Sequence, residues 1–239
     1  MTEAEWLACR NPYTLLVWVR RLANGRRHRL FNVACCRRIE SLLTVPSDQV
    51  CLKTMETYAE SGGVNPAATV EHAAQNALLA RQAAFPYGRS HAFGSQRGWL
   101  AAQGRVKALG AVAACARMTC EACWESLVAY RYTQVWDNRA GRRAANATRR
   151  EERTSRAILV REIFGNPFRP VAFSSEWRTD TAVLLARQMY ESRDFGAMPI
   201  LADALQDAGC DNPDILDHCR GPGPHVRGCW VVDLVLGKA

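Results

Sequence analysis

The run from Met198 to Lys238, MPILADALQDAGCDNPDILDHCRGPGPHVRGCWVVDLVLGK, decides how this chain is read. Pro199 suits the first turn of a helix, where its missing N–H is unpaired anyway. Ile200, Leu201, Ala204, Leu205 and Ala208 then fall on one stripe, with Asp203, Gln206 and Asp207 opposite. Gly209 offers the left-handed stop. Asn212, Pro213 and Asp214 form the N-cap, first residue and acidic first turn of a second short helix, which should end near Cys219 before Gly221-Pro222-Gly223-Pro224. Cys229 to Leu236 is apolar except for Asp233. Period alone assigns it to neither helix nor strand, and its place after two helices favours a third helix docked on them.

The same run holds the residues with most chemical range. His218 and Cys219 before a Gly-rich loop and Arg227 suggest the phosphate loop of cysteine phosphatases. That loop places five residues between its Cys and Arg, whereas seven separate Cys219 from Arg227 here, and it follows a strand. Cys210, His218, His225 and Cys229 are ligand types that zinc accepts, but without paired CxxC spacing. The simpler reading makes Cys210, Cys219 and Cys229 small buried apolar residues. It makes His218 the cap of a helix end, its charged form favoured by the dipole and by Asp214. No cofactor is expected on that reading, and one zinc at the four residues is the alternative.

The tail, IFGNPFRPV (Ile163 to Val171), the opening MTEAEWLA and RLFNVACCRRI (Arg29 to Ile39) together resemble a bacterial protein family, expanded in planctomycetes, for which no activity is established. The resemblance covers about half of the chain and is specific at its two ends. It implies a bacterial, cytoplasmic protein and carries over no catalytic or binding residue.

Outward from the tail, helix signals continue. Thr2 and Glu5 form a capping box before Trp6. Pro12 opens a helix with Leu15, Leu16, Val19 and Leu22 inward, which Asn24-Gly25 should end. Arg26 to Leu43 reads as a third, with Leu30, Phe31, Ala34 and Cys35 inward and Arg26, Arg27, Arg29, Arg37 and Arg38 wet. Ser47 is placed to cap a fourth helix. Pro66 to Phe85 reads as an Ala-rich helix, Pro86 to Gly98 as a loop, and Trp99 to Asp137 as a long helix, or two in line broken near Gly104 or Gly110, whose Cys115, Cys120 and Cys123 read as core thiols. Asp180 or Thr181 should cap a helix with Ala182, Leu185, Ala186 and Met189 inward. The fold class expected is all-α, with eight or nine helices.

Gly141 to Ile163 is the most basic stretch. Arg142, Arg143, Arg149, Arg150 and Arg153 are its candidates for nucleic-acid contact, since the Arg fork matches phosphate. The plainer reading is a solvated helix laced with ion pairs. Overall, residues 1–172 hold 25 Lys and Arg against 13 Asp and Glu, and residues 173–239 hold 6 against 10. A basic helical domain over 1–164, a connector at 165–170 and an acidic subdomain over 171–239 follow from that shift and from the two prolines of the connector.

Ten cysteines without a signal-peptide pattern point to reduced thiols in a cytoplasm. No apolar stretch approaches a membrane span. Without a nucleotide loop, HExxH or nucleophile elbow, the functional expectation is a non-enzymatic interaction module. It would bind a protein partner or nucleic acid through its Arg-rich helices. The alternatives are a zinc- or Cys/His-dependent enzyme centred on the tail cluster and a structural accessory subunit.

Overall fold

The computed structural model describes residues 1–19, 25–38, 40–42, 46–61 and 138–238, with isolated helical positions at 68, 72, 75 and 79. The protein is all-α, and among the described residues there is no strand. Among the described residues the helices are α1 (Glu3–Ala8), α2 (Pro12–Val19), α3 (Gly25–Arg37), α4 (Pro46–Ser61), α5 (Asn138–Phe164), α6 (Asp180–Ser192), α7 (Met198–Asp207), α8 (Pro213–Arg220) and α9 (Trp230–Leu236). Glu40–Leu42 and Ser175–Trp177 are single 3₁₀ turns. The expected loop at 86–98 and the expected helix at 99–137 with its three cysteines lie outside the described residues. His72, within the expected Ala-rich helix, is exposed at a helical position.

Two compact units divide the chain: residues 1–23 with 157–239, and residues 24–156. Residues 165–170, expected as a connector, lie inside the first unit, together with α1, α2 and the end of α5. The reason is side-chain packing that the prolines conceal. Asn166 donates to Glu3 at 2.7 Å and accepts from the backbone N–H of Phe168 at 3.0 Å. Phe168 in turn stacks on Trp18, with ring centroids 5.7 Å apart.

Local chemistry explains the helix ends of the first unit. Both halves of the capping box form at α1: Thr2 N–H donates to Glu5 at 2.8 Å and Glu5 N–H to the Thr2 hydroxyl at 3.2 Å. Arg161 holds the far end of α1 by donating to the carbonyls of Trp6 and, at 2.6 Å, Cys9. The cap of α6 is Thr179, one residue before the expected range, and it accepts from Ala182 N–H at 3.3 Å. At α8 the Asn212 cap and Pro213 stand as expected, and Asn212 accepts from Ile215 N–H at 3.2 Å. Gly209 closes α7 with φ +86°, while the backbone N–H of Cys210 reaches back to Leu205 at 2.9 Å.

The core of this unit comes from α6 to α9. Ala182, Ala186 and Met189 meet Met198, Leu201, Ala202 and Leu205, and Ile215, Cys219, Val231, Val232 and Val235 close over them. The apolar run after Cys229 is therefore a helix, packed against α6 and α8. Ile200, expected on the buried stripe of α7, is exposed. The stripe runs through Met198, Leu201, Ala202 and Leu205, and a two-residue step from Met198 points Ile200 away.

In the second unit α3 packs on α4. Gly25, expected as a stop for α2, is the first residue of α3 instead, and Pro46 rather than Ser47 opens α4. The supposedly wet arginines are largely committed: Arg26 to Glu60 at 3.0 Å, Arg37 to Glu56 at 2.7 Å and to Glu40 at 2.6 Å, and Arg38 to Glu152 at 2.6 Å. The buried carboxylates of Glu56 and Glu152 need cations, and Arg37 and Arg38 supply them.

Gly165 makes a sharp backbone demand. Its φ is +70°, and a Cβ there would lie 3.4 Å from the Trp230 indole. Gly209 shares the left-handed backbone but faces open space. The left-handed conformation costs a residue with a side chain roughly 1–2 kcal/mol. Gly209→Ala is expected to lose about that, and Gly165→Ala distinctly more, by urea denaturation. Equal losses would mean that Trp230 does not press on Gly165.

Candidate metal centre

Four polar side chains converge inside the first unit. Glu162 comes from the last turn of α5, His218 from the last turn of α8, His225 from the loop after it, and Cys229 from the residue that opens α9. One ligand atom from each lies within 4.8 Å of all the others. The side chains of Glu162 and His225 are 4% and 8% exposed, that of His218 is 19%, and Cys229 is fully buried.

The carboxylate is the hub. His225 Nδ1 lies 3.2 Å from Glu162 Oε1, and His218 Nε2 lies 3.3 Å from Glu162 Oε2. His218 Nε2 is also 3.2 Å from the Cys229 sulfur. On its other side, Trp230 Nε1–H donates to His218 Nδ1 at 3.2 Å. The two imidazoles meet edge to face, with centroids 5.1 Å apart.

Local sequence positions each group. Glu162 sits among Leu159, Val160 and Ile163, all buried, so its carboxylate is carried inward with them. The α8 cap fixes the start of the helix that ends in His218. Between the two histidines the chain must turn tightly, and at Gly223 a Cβ would stand 2.9 Å from the His225 backbone nitrogen. Cys229 accepts at its carbonyl from Asp233 N–H at 2.8 Å, which locks it to the first turn of α9.

The surroundings separate the two histidines. Burial lowers the pKa of His218, opposed by the charge of Glu162, and His225 lowers it further. This corrects the expectation of a charged His218 capping a helix end. Its ring is turned inward, and Asp214 instead faces Arg169 at 3.5 Å. For His225, burial also lowers the pKa, but the hydrogen bond to Glu162 and its charge outweigh it, aided by the Gly221 backbone, and the net shift is upward. His225 Nε2 itself is buried and makes no hydrogen bond of normal geometry.

Of the four expected zinc ligands, His218, His225 and Cys229 come together, and Cys210 does not. Cys210 is buried just past the end of α7, where burial raises its thiol pKa. Glu162 takes the fourth place. It stands 56 residues before His218 and looked like one more acid offsetting arginines, although a Glu inside an apolar stretch was a signal available in the sequence. Of the expected nucleic-acid residues, Arg143, Arg150 and Arg153 are exposed on α5. Arg142 and Arg149 lie on the same helix, with side chains outside the described residues.

The arrangement is unsuited to a cysteine nucleophile. Burial raises the Cys229 thiol pKa well above its usual value, with Glu162 adding to the shift. Burial likewise raises Cys219, to about 12. The orienting group on the far nitrogen of His218 is an N–H donor, where a Cys–His pair needs an acceptor to stabilise imidazolium. The chain matches no family model, no curated protein and no solved structure.

Thiol reactivity follows from burial. In the native protein Cys9, which is partly exposed, is expected to be alkylated quickly at neutral pH. Cys210, Cys219 and Cys229 should be modified only as fast as the unit opens. Peptide mass mapping after timed iodoacetamide exposure checks this, and rapid labelling of Cys229 would contradict the burial described.

Proposed function

We propose that the protein is a non-enzymatic helical module whose C-terminal helices are tied together by one zinc ion held by Glu162, His218, His225 and Cys229. The observation that carries this reading is the convergence of four zinc-type donors within 4.8 Å in a buried place. Tetrahedral zinc with bonds of about 2.0–2.3 Å sets its ligand atoms roughly 3.3–3.8 Å apart. His218 Nε2 is close to that, 3.2 Å from the Cys229 sulfur and 3.3 Å from Glu162 Oε2, while His225 Nδ1 meets the other carboxylate oxygen, Oε1, at 3.2 Å.

Charge supports it as well. A divalent cation with one carboxylate, one thiolate and two neutral imidazoles is neutral overall, so burial strands no net charge. Four protein donors leave no open position, which is the arrangement of a structural rather than a catalytic zinc. When bound, the ion would supply a cross-link between the end of α5, the end of α8 and the start of α9. His225 turns Nδ1 toward Glu162 at 3.2 Å, the nitrogen it would offer to the ion.

A second reading concerns a partner, and one observation favours it. Arg143, Arg150 and Arg153 are exposed at seven- and three-residue steps, so they share one side of α5. We read this side as a surface for phosphate or for an acidic protein partner. No helix among the described residues is long and apolar enough to cross a membrane. The seven described cysteines are free thiols. Together with the family resemblance, they fit a bacterial cytoplasm.

The zinc reading predicts one equivalent of metal in protein purified without chelator, measured by plasma emission spectrometry. Cys229→Ser and His225→Ala should lose it, and Cys210→Ser should keep it. Stripping the metal should lower the melting temperature of the wild type and leave Cys229→Ser unmoved. Retention of zinc by Cys229→Ser would overturn the assignment.

The partner reading predicts salt-sensitive binding of duplex or single-stranded oligonucleotides, because neutralised phosphates release counterions. Changing Arg142, Arg143, Arg149 and Arg150 to Gln should weaken it. Absence of binding at low salt would leave an acidic protein, sought by pull-down, as the partner class.

A further inference from the structure

We infer that Trp230 restrains metal binding at this site, so that His218 enters the zinc shell only when its hydrogen bond from the indole is given up. The inference rests on the zinc reading above and concerns how that site is regulated. Its basis is the polarity of one hydrogen bond. An indole N–H donates and never accepts, so at 3.2 Å from Trp230 Nε1 the Nδ1 of His218 must present a lone pair. The single proton of the neutral ring is then on Nε2, the nitrogen that faces Glu162 and Cys229. A zinc ion needs that Nε2 lone pair. Binding therefore transfers the ring proton to Nδ1, where it would confront the indole N–H, donor against donor.

Metal-bound histidines ordinarily donate their other N–H to a carbonyl or carboxylate. His218 opposes that pattern, because its Nδ1 accepts from the Trp230 indole. The indole is also held in place. Its ring lies 3.4 Å from where a Cβ would stand on Gly165, and its centroid is 5.1 Å from that of His218. Giving way means moving a packed ring, so Trp230 is a positioning residue that favours the metal-free hydrogen-bond network over the metal.

The test compares wild type with Trp230→Phe, which keeps an aromatic ring and removes the N–H. Zinc affinity is measured with zinc sulfate against a chromogenic chelator. One net hydrogen bond corresponds to a change of roughly two- to tenfold, so the variant is expected to bind zinc more tightly by about that factor. Zinc bound by the variant alone is the same result at its extreme. Equal or weaker binding by a folded variant overturns this inference and leaves the zinc reading standing. Failure of both proteins to bind overturns both.

Should the variant not fold, the wild type decides. With ¹⁵N-labelled tryptophan, the Trp230 indole N–H resonance must shift on addition of one equivalent of zinc. Zinc binding with that resonance unmoved overturns the inference.

Discussion

A buried carboxylate governs the C-terminal helices. Glu162 leaves water almost completely, and an unpaired ion in such a place costs several kcal/mol. The first unit meets that cost with two imidazoles from a different part of the chain, one on either carboxylate oxygen. Both come from the α8–α9 segment, so the last turn of α5 and the tail cannot be arranged independently. The helices that carry these groups are short, eight and seven residues for α8 and α9. Helices of this length are marginal on their own. Their caps, their apolar contacts and the polar cluster must act together.

The same constraint explains the stretch at 165–170. After Glu162 the chain turns away through Gly165, whose missing side chain admits the Trp230 ring. Asn166 and Phe168 then fasten the turn to Glu3 and Trp18. A proline-bracketed stretch with no regular structure therefore anchors α1 and α2 to the helices that end the chain. Arg161 and Glu162, neighbours in sequence, do complementary work. The guanidinium reaches outward to the open carbonyls of α1, and the carboxylate reaches inward to the histidines.

What the sequence made legible is what physics decides locally. The Thr2–Glu5 box, the Asn212-Pro213 start and the Gly209 stop depend on a few adjacent residues, and all stand in the structure. The all-α class follows from many such signals acting together. The side chain each residue finally meets was hidden, because that depends on contacts far along the chain. Arg37 and Arg38 carry the pattern of a wet face, but Glu56 and Glu152 claim them. Cys210 is the right ligand type at a plausible spacing, but it stands before the start of α8, whereas the cluster gathers at the end of that helix. Glu162 was masked by composition, since an acid in an arginine-rich helix reads as charge balance. The exposure of Ile200 was a matter of period, and a stricter count of three- and four-residue steps from Met198 would have found it.

The metal-free network and a zinc shell would use the same atoms, so the question is which residue distinguishes them. Glu162 already has an imidazole on either oxygen without a metal, although His225 Nε2 stays buried without a partner. A thiol adds little to such a network, since S–H is a weak donor and sulfur a weak acceptor. If Cys229 served only as a small buried residue, nothing would require its sulfur to face the imidazole nitrogen at 3.2 Å rather than the adjoining valines. Burial and Glu162 both disfavour the thiolate there, and a bound cation reverses that preference by deprotonating a coordinating thiol outright. Trp230 weighs on the opposite side, because it fixes the His218 proton where a metal would have to sit. These neighbours at the start of α9 therefore pull the site in opposite directions, Cys229 toward the metal and Trp230 toward the proton.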